Sequence, residues 1–166
     1  MKLWKGNMGK DIFIHKDTEF KFDLNIIGDH IAIDKGVYCT AKVKLMNYIH
    51  IAPYVTIIGG TEGTLTCKGF NNIMAGARVI CSSDRFDDSG IFGCLIPKEY
   101  KGTERFVLPG SILREGVLLT AGSLLIGDTK PWGVYKGNPA KLVKTIDGSK
   151  ILEKARKLKK NKYYLR

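Results

Sequence analysis

The chain is poor in residues that bind metals or form cross-links: of its 166 residues only three are histidine and four cysteine. Cys39, Cys67, Cys81 and Cys94 are too few and too irregular for a disulfide framework, and no CxxC pair marks a zinc site. Cys39 and Cys67 read as small core residues. No apolar run approaches the ~20 residues that cross a bilayer. The start, MKLWKGNMGKDIFIHK, has no continuous apolar signal segment. The expectation is a soluble, cytoplasmic protein. GxGxxG and GxxxxGK(S/T) are missing from any strand-loop-helix context and HExxH is absent, which sets aside nicotinamide-binding, P-loop and zincin chemistry.

Acidic residues are also scarce, 16 against 27 Lys and Arg, for a formal charge of +11. The imbalance is local. The segment SKILEKARKLKKNKYYLR, residues 149–166, carries eight Lys or Arg and one Glu. Such a tail can solvate a helix face, steer small anions, or bind an anionic polymer or membrane. In DGSKILEKARKLKK, Ile151, Leu152, Ala155 and Leu158 share one helical face, and Asp147 or Ser149 can cap the start. The spacing predicts an amphipathic helix packed on the end or side of the preceding domain.

What the chain has in abundance is a six-residue repeat. Ile27, Ile33, Cys39, Leu45, Ile51 and Ile57 lead successive hexads, and Ile31, Val37, Val43, Ile49 and Val55 occupy the fifth positions. Six is a multiple of two and fits 3.6 poorly, so with many β-branched residues the pattern favours short strands over a helix. The repeat resumes at Cys67, Ile73 and Val79, and again at Val107, Leu113, Leu119 and Leu125. Gaps of ten residues after Ile57 and 28 after Val79 break it. A short fixed period means a solenoid whose turns bury apolar side chains against one another, with insertions leaving as surface loops. A β-sandwich fits the fixed hexads less well.

The stretches LPGSILREGVLLTAGSLLIGD and PWGVYKGNPAKLVK make the chain similar to the left-handed parallel β-helix acyltransferases with hexapeptide repeats, in particular their sugar acetyltransferase branch. The resemblance covers roughly residues 20–146. It implies an all-β, left-handed parallel β-helix over 1–146, with a protruding loop at 84–106 and a basic helix and tail over 147–166. Three hexads would make one triangular coil, the leading aliphatic pointing inward and a small fifth residue, such as Ser111, Val117 or Ser123, at the bend. Gly110, Gly116 and Gly122 would suit the corners.

His50, sixth in LMNYIH and just before the expected bend, is the candidate general base. A neutral imidazole can take a proton from an amine or hydroxyl as it attacks an acyl carbon. A solvated surface histidine is the plain alternative, and His15 and His30 are read that way. Many sugar- and antibiotic-acetylating members of the family carry their histidine at the start of the protruding loop, where this chain has SSDRFDD. Asp84 therefore stands in that place, either orienting the acceptor or serving as base itself. Gly59 and Gly60 could offer an N–H to the developing oxyanion, and a simple turn explains them equally well.

Trp132 and Tyr135 offer apolar surface and Lys130, Lys136 and Lys141 offer charge for phosphates. In the resembling enzymes the donor's pantetheine arm lies along the prism between subunits, near this closing segment; Ala121, Gly122, Asn138 and Pro139 match that neighbourhood. The resemblance implies acetyl-CoA as cosubstrate, no metal, a homotrimer, and a nucleotide-linked sugar acceptor in surface-polysaccharide biosynthesis, such as that of lipopolysaccharide O-antigen. Neither nucleic acid nor membrane is an expected partner. The expected reaction is acetyl transfer to the amine of a nucleotide-linked amino sugar, with O-acetylation as the alternative. Further alternatives are a zinc hydratase, for which His15, His30 and His50 are the entire histidine supply, and a non-enzymatic trimeric solenoid binding an anionic polymer or membrane.

Overall fold

The six-residue period becomes three walls. In the computed structural model, which describes residues 9–21, 24–26, 28–60, 62–82 and 111–160, short strands follow one another around a triangular coil. Wall one stacks β1 (Ile12–Ile14), β4 (Ile31–Ile33), β7 (Ile49–Ile51), β10 (Asn71–Ile73) and β13 (Leu118–Leu119). Wall two stacks β2 (Glu19–Phe20), β5 (Tyr38–Cys39), β8 (Thr56–Ile58), β11 (Arg78–Ile80) and β14 (Leu124–Ile126). Wall three stacks β3 (Leu24–Ile26), β6 (Lys42–Leu45), β9 (Thr64–Cys67) and β12 (Ile112–Leu113). Through β11 each strand pairs in parallel with the strand three later, as it must when one coil contains three.

Register accounts for both breaks in the repeat. Ile31 pairs with Ile49, 18 residues on, which is three hexads. Ile49 pairs with Asn71, and the four extra residues fall between β8 and β9, where the Gly63 N–H donates to the Gly59 carbonyl at 2.7 Å. Asn72 pairs with Leu118, and the 28 extra residues fall between β11 and β12. After the second break Leu113 resumes the stack, paired with Cys67; Val107, Gly110 and Ile27, which the sequence pattern also marked, lie outside the described residues.

The leading residues Ile33, Cys39, Leu45, Ile51, Ile57, Cys67, Ile73, Val79, Leu113, Leu119 and Leu125 are all buried in the prism. One expectation is corrected here. The fifth positions are not uniformly small residues at bends: Ile31, Val37, Val43, Ile49, Val55 and Leu65 are also buried core residues. A strand alternates faces, so residues two apart both point inward and the single residue between them points out. Small or polar residues take that position on the later coils, where Asn71, Ala77, Ser111 and Ser123 are all buried; the Ser111 hydroxyl donates to the Ile80 carbonyl.

The corners require left-handed backbone. Gly36, Tyr54, Gly76 and Gly122 occupy one column with φ between 59° and 71°. A second column, between walls three and one, is made largely of ring-bearing residues: His30, Tyr48, Phe70 and Trp132 all have positive φ, as does Asp11 above them. Non-glycine residues in this region carry strain of about 1 kcal/mol or more each. Stacking offsets part of it. The rings of His30 and Tyr48 lie 4.7 Å apart, those of Tyr48 and Phe70 4.8 Å, and Phe70 reaches Trp132 at 6.2 Å across the level of Gly116. Gly116 leaves room for the indole, into which any β-carbon there would run.

After β14 the chain forms β15 (Gly133–Lys136), parallel to β13, and returns antiparallel as β16 (Lys141–Thr145), closing wall one. Helix α1 (Gly148–Lys160) follows. Its start is capped as its sequence predicts: Asp147 accepts a hydrogen bond from the Ser149 N–H at 2.9 Å. Gly148 packs on the face of Trp132, so the indole lies against both the last full coil and the helix start.

Candidate active site

Each outward residue of wall one is the middle of an inward-outward-inward triplet. Register places Phe13, Ala32, His50, Asn72, Leu118 and Val134 side by side on the outer face. Four of the six are apolar; His50 and Asn72 are adjacent and polar. A groove of about 520 Å³ runs over this ladder from Phe13 to Leu118, bounded on one side by the ring-bearing corner column and lined also by Ile146 and Ile151 from the C-terminal segment.

His50 faces outward, as its place in the hexad implies, but it sits at the centre of β7 and not beside a bend. Its Nε2 is 2.8 Å from Asp34 Oδ2 on the next coil. The pair is partly exposed, 44% for His50 and 29% for Asp34. With Nε2–H donating to the carboxylate, Nδ1 is left as the proton acceptor, and the carboxylate steadies the imidazolium that results. His30 pairs separately, its Nδ1 2.9 Å from Asp11 Oδ2, and His15 lies 3.8 Å from Asp17. Among the described residues, no three His, Cys, Asp or Glu side chains converge as a metal site.

Asp84 lies outside the described residues, as do the whole 84–106 segment and Cys94. The described chain leaves for that segment from the end of β11, on wall two, where Ser82 Oγ donates to the Gly59 carbonyl. The Gly59 N–H is itself used, donating to Thr40 Oγ1 at 3.2 Å, which favours the turn reading over an oxyanion donor.

Burial disposes of the described thiols as nucleophiles. It pushes the Cys39 thiol up to about 12 and raises Cys67 and Cys81 as well, so none supplies thiolate near neutral pH.

The donor-site candidates fall at two corners. Ala121 and Gly122 turn the chain into β14, and the turn after β15 settles against them: Leu124 N–H donates to the Gly137 carbonyl, and Ala140 N–H to the Leu124 carbonyl. Lys136, Asn138 and Pro139 are exposed there, and Lys141 opens β16 opposite Lys136. Trp132 and Lys130 lie at the other end of β15, by the ring column; the Lys130 N–H donates to the Tyr135 hydroxyl at 2.7 Å.

Three features escaped the sequence reading: Asp34, Asn72 and the corner column. Asn72 had a legible signal, being sixth in CKGFNN as His50 is sixth in LMNYIH.

No family model matches the chain. It is 28% identical, over 89% of its length and 85% of the relative's, to a dTDP-4-amino-4,6-dideoxy-D-glucose acyltransferase of Escherichia coli. Among solved structures it is similar to a variant of AntD, an N-acyltransferase from Bacillus cereus, in complex with dTDP-4-amino-4,6-dideoxyglucose and coenzyme A. That match has a TM-score of 0.73 and 26% identity, covering 92% of this chain and 90% of that one. A hexapeptide-repeat-containing acetyltransferase from Vibrio cholerae, complexed with acetyl coenzyme A, matches the fold with a TM-score of 0.62 at 13% identity, over 84% of this chain and 70% of that one.

Proposed function

We propose that this homologue of dTDP-amino-sugar acyltransferases and hexapeptide-repeat acetyltransferases moves an acetyl group from acetyl-CoA to the amine of a nucleotide-linked amino sugar. The observation that carries the reading is the near full-length likeness to two such enzymes, one of them holding both an amino sugar nucleotide and coenzyme A. We read the coil as left-handed; the hexads and the three parallel walls support that sense.

His50 serves as general base in a direct transfer. The amine attacks the thioester carbonyl while His50 takes its proton, and the coenzyme leaves as the thiol. Asp34 holds the imidazole, and Asp84 orients the acceptor. Ala121, Gly122, Lys136, Asn138, Pro139 and Lys141 at one corner, with Lys130 and Trp132 at the other, receive the donor. Three copies would bring such corners against neighbouring walls; the open groove and the exposure of Phe13 at its edge support a shared site. A cytoplasmic role in surface-polysaccharide biosynthesis fits these two cosubstrates.

The test follows thiol release from acetyl-CoA with dTDP-4-amino-4,6-dideoxyglucose and with a panel of other nucleotide-linked sugars. The expected result is thiol release with an N-acetylated product by mass and linkage, and a melting temperature raised by acetyl-CoA but not by NAD. Absence of both transfer and stabilisation overturns the reading.

A further inference from the structure

Among the described residues, one buried side-chain polar atom lacks a hydrogen-bond partner, Oδ1 of Asn72. An unmade bond at a buried acceptor is costly, so such a group calls for an explanation. The fold supplies none. Asn71, one residue earlier, has the structural work of an asparagine: its Oδ1 accepts from the Gly69 N–H at 3.1 Å and its Nδ2 donates to the Arg114 carbonyl at 2.7 Å, tying down the corner. Position 72 points the other way, and the same place on other coils holds Ala32, Leu118 and Val134. An apolar residue satisfies the wall there.

Asn72 pairs in register with His50, and both line the groove. We propose that Asn72 selects an amine as the acceptor, its Oδ1 accepting one N–H of the attacking nitrogen while the free ring nitrogen of His50 accepts the other. The inference rests on the acyl-transfer reading and deepens it. A neutral primary amine presents two hydrogens and one lone pair; two acceptors hold the hydrogens and leave the lone pair to the thioester. The C–N bond forms as the carbonyl electrons move to oxygen. The C–S bond breaks as they return, sulfur departs with the electron pair, and the proton taken by His50 passes to it. A hydroxyl has one hydrogen, so it cannot satisfy both acceptors, and a site built for two N–H groups discriminates against it. The terminal torsion of asparagine is broad, so its oxygen turns toward the groove at little cost.

The experiment compares wild type, Asn72→Leu, Asn72→Ala and Asn72→Asp on a dTDP-linked 4-amino sugar and its 4-hydroxyl counterpart, with acetyl-CoA as donor. The Leu and Ala variants are expected to lose about 10- to 100-fold in kcat/KM for the amine, a lost hydrogen bond at the reacting atom. Their KM for acetyl-CoA stays unchanged and the amine-over-hydroxyl preference shrinks by the same factor. Asn72→Asp, which keeps an acceptor oxygen, recovers most of the amine rate. An unchanged preference in either folded apolar variant overturns the assignment even where wild type transfers acetyl to the amine. A wild type that transfers to neither sugar removes the acyl-transfer reading and this inference with it.

Discussion

Ile51 and His50 are neighbours on one three-residue strand, yet they belong to different parts of the molecule. Ile51 is fully buried in a ladder between Ile33 and Ile73, with Leu119 beyond, all of them apolar. His50 lies in the outward ladder, where Ala32, Asn72 and Leu118 differ in size and polarity from coil to coil. The inner ladder obeys one rule because every coil meets the same environment, the coil before and after it. The outer ladder has no such rule, so a polar residue there records what the wall faces rather than how it folds.

Substitutions on β7 break this comparison most directly. His50→Ala should lower acetyl transfer by about 10²- to 10⁴-fold, as loss of a general base does. It should change stability by no more than about 1 kcal/mol, since its carboxylate pair is partly solvated. Steady-state turnover beside a thermal melt checks both; unchanged turnover removes His50 as the base. Ile51→Ala should do the reverse. It leaves a cavity between coils and costs about 2–5 kcal/mol, with kcat per folded molecule preserved. Denaturant unfolding reads the loss, and a midpoint equal to wild type would contradict the stacked core.

A smaller effect sharpens the contrast at the end of the prism. The Asp147 carboxyl is held below its usual range first by the Ser149 side chain and then by the Ser149 N–H. A depressed carboxyl contributes stability that is present above the ordinary aspartate range, near pH 4, and lost as pH falls below it. Helical ellipticity should therefore decline on acidification below about pH 4, and Asp147→Ala should flatten that decline. An unaltered acid profile in the variant would show that the cap does not hold the helix.

The coil count was readable because each hexad repeats one physical demand. Ile33, Cys39 and Leu45 announce three walls, and the breaks after Ile57 and Val79 announce where residues leave them. The phase after the second break was legible as well, since Leu113, Leu119 and Leu125 are inward residues, but only pairing with Cys67 shows which wall Leu113 joins. The Asp147 cap was legible because a cap is local. Asp34 beside His50 was not, for they meet only once adjacent coils are stacked.

The sequence by itself determined the repeating unit, the inward residues and the capped terminal helix, since these follow from periodicity and from contacts within a few residues. Tertiary structure alone decided the partners: His50 with Asp34, Asn72 beside His50, and His30, Tyr48, Phe70 and Trp132 in one column. The reason is register. Residues 16 to 62 apart become neighbours according to how many residues each coil takes, and two insertions change that number without altering the hexads on either side.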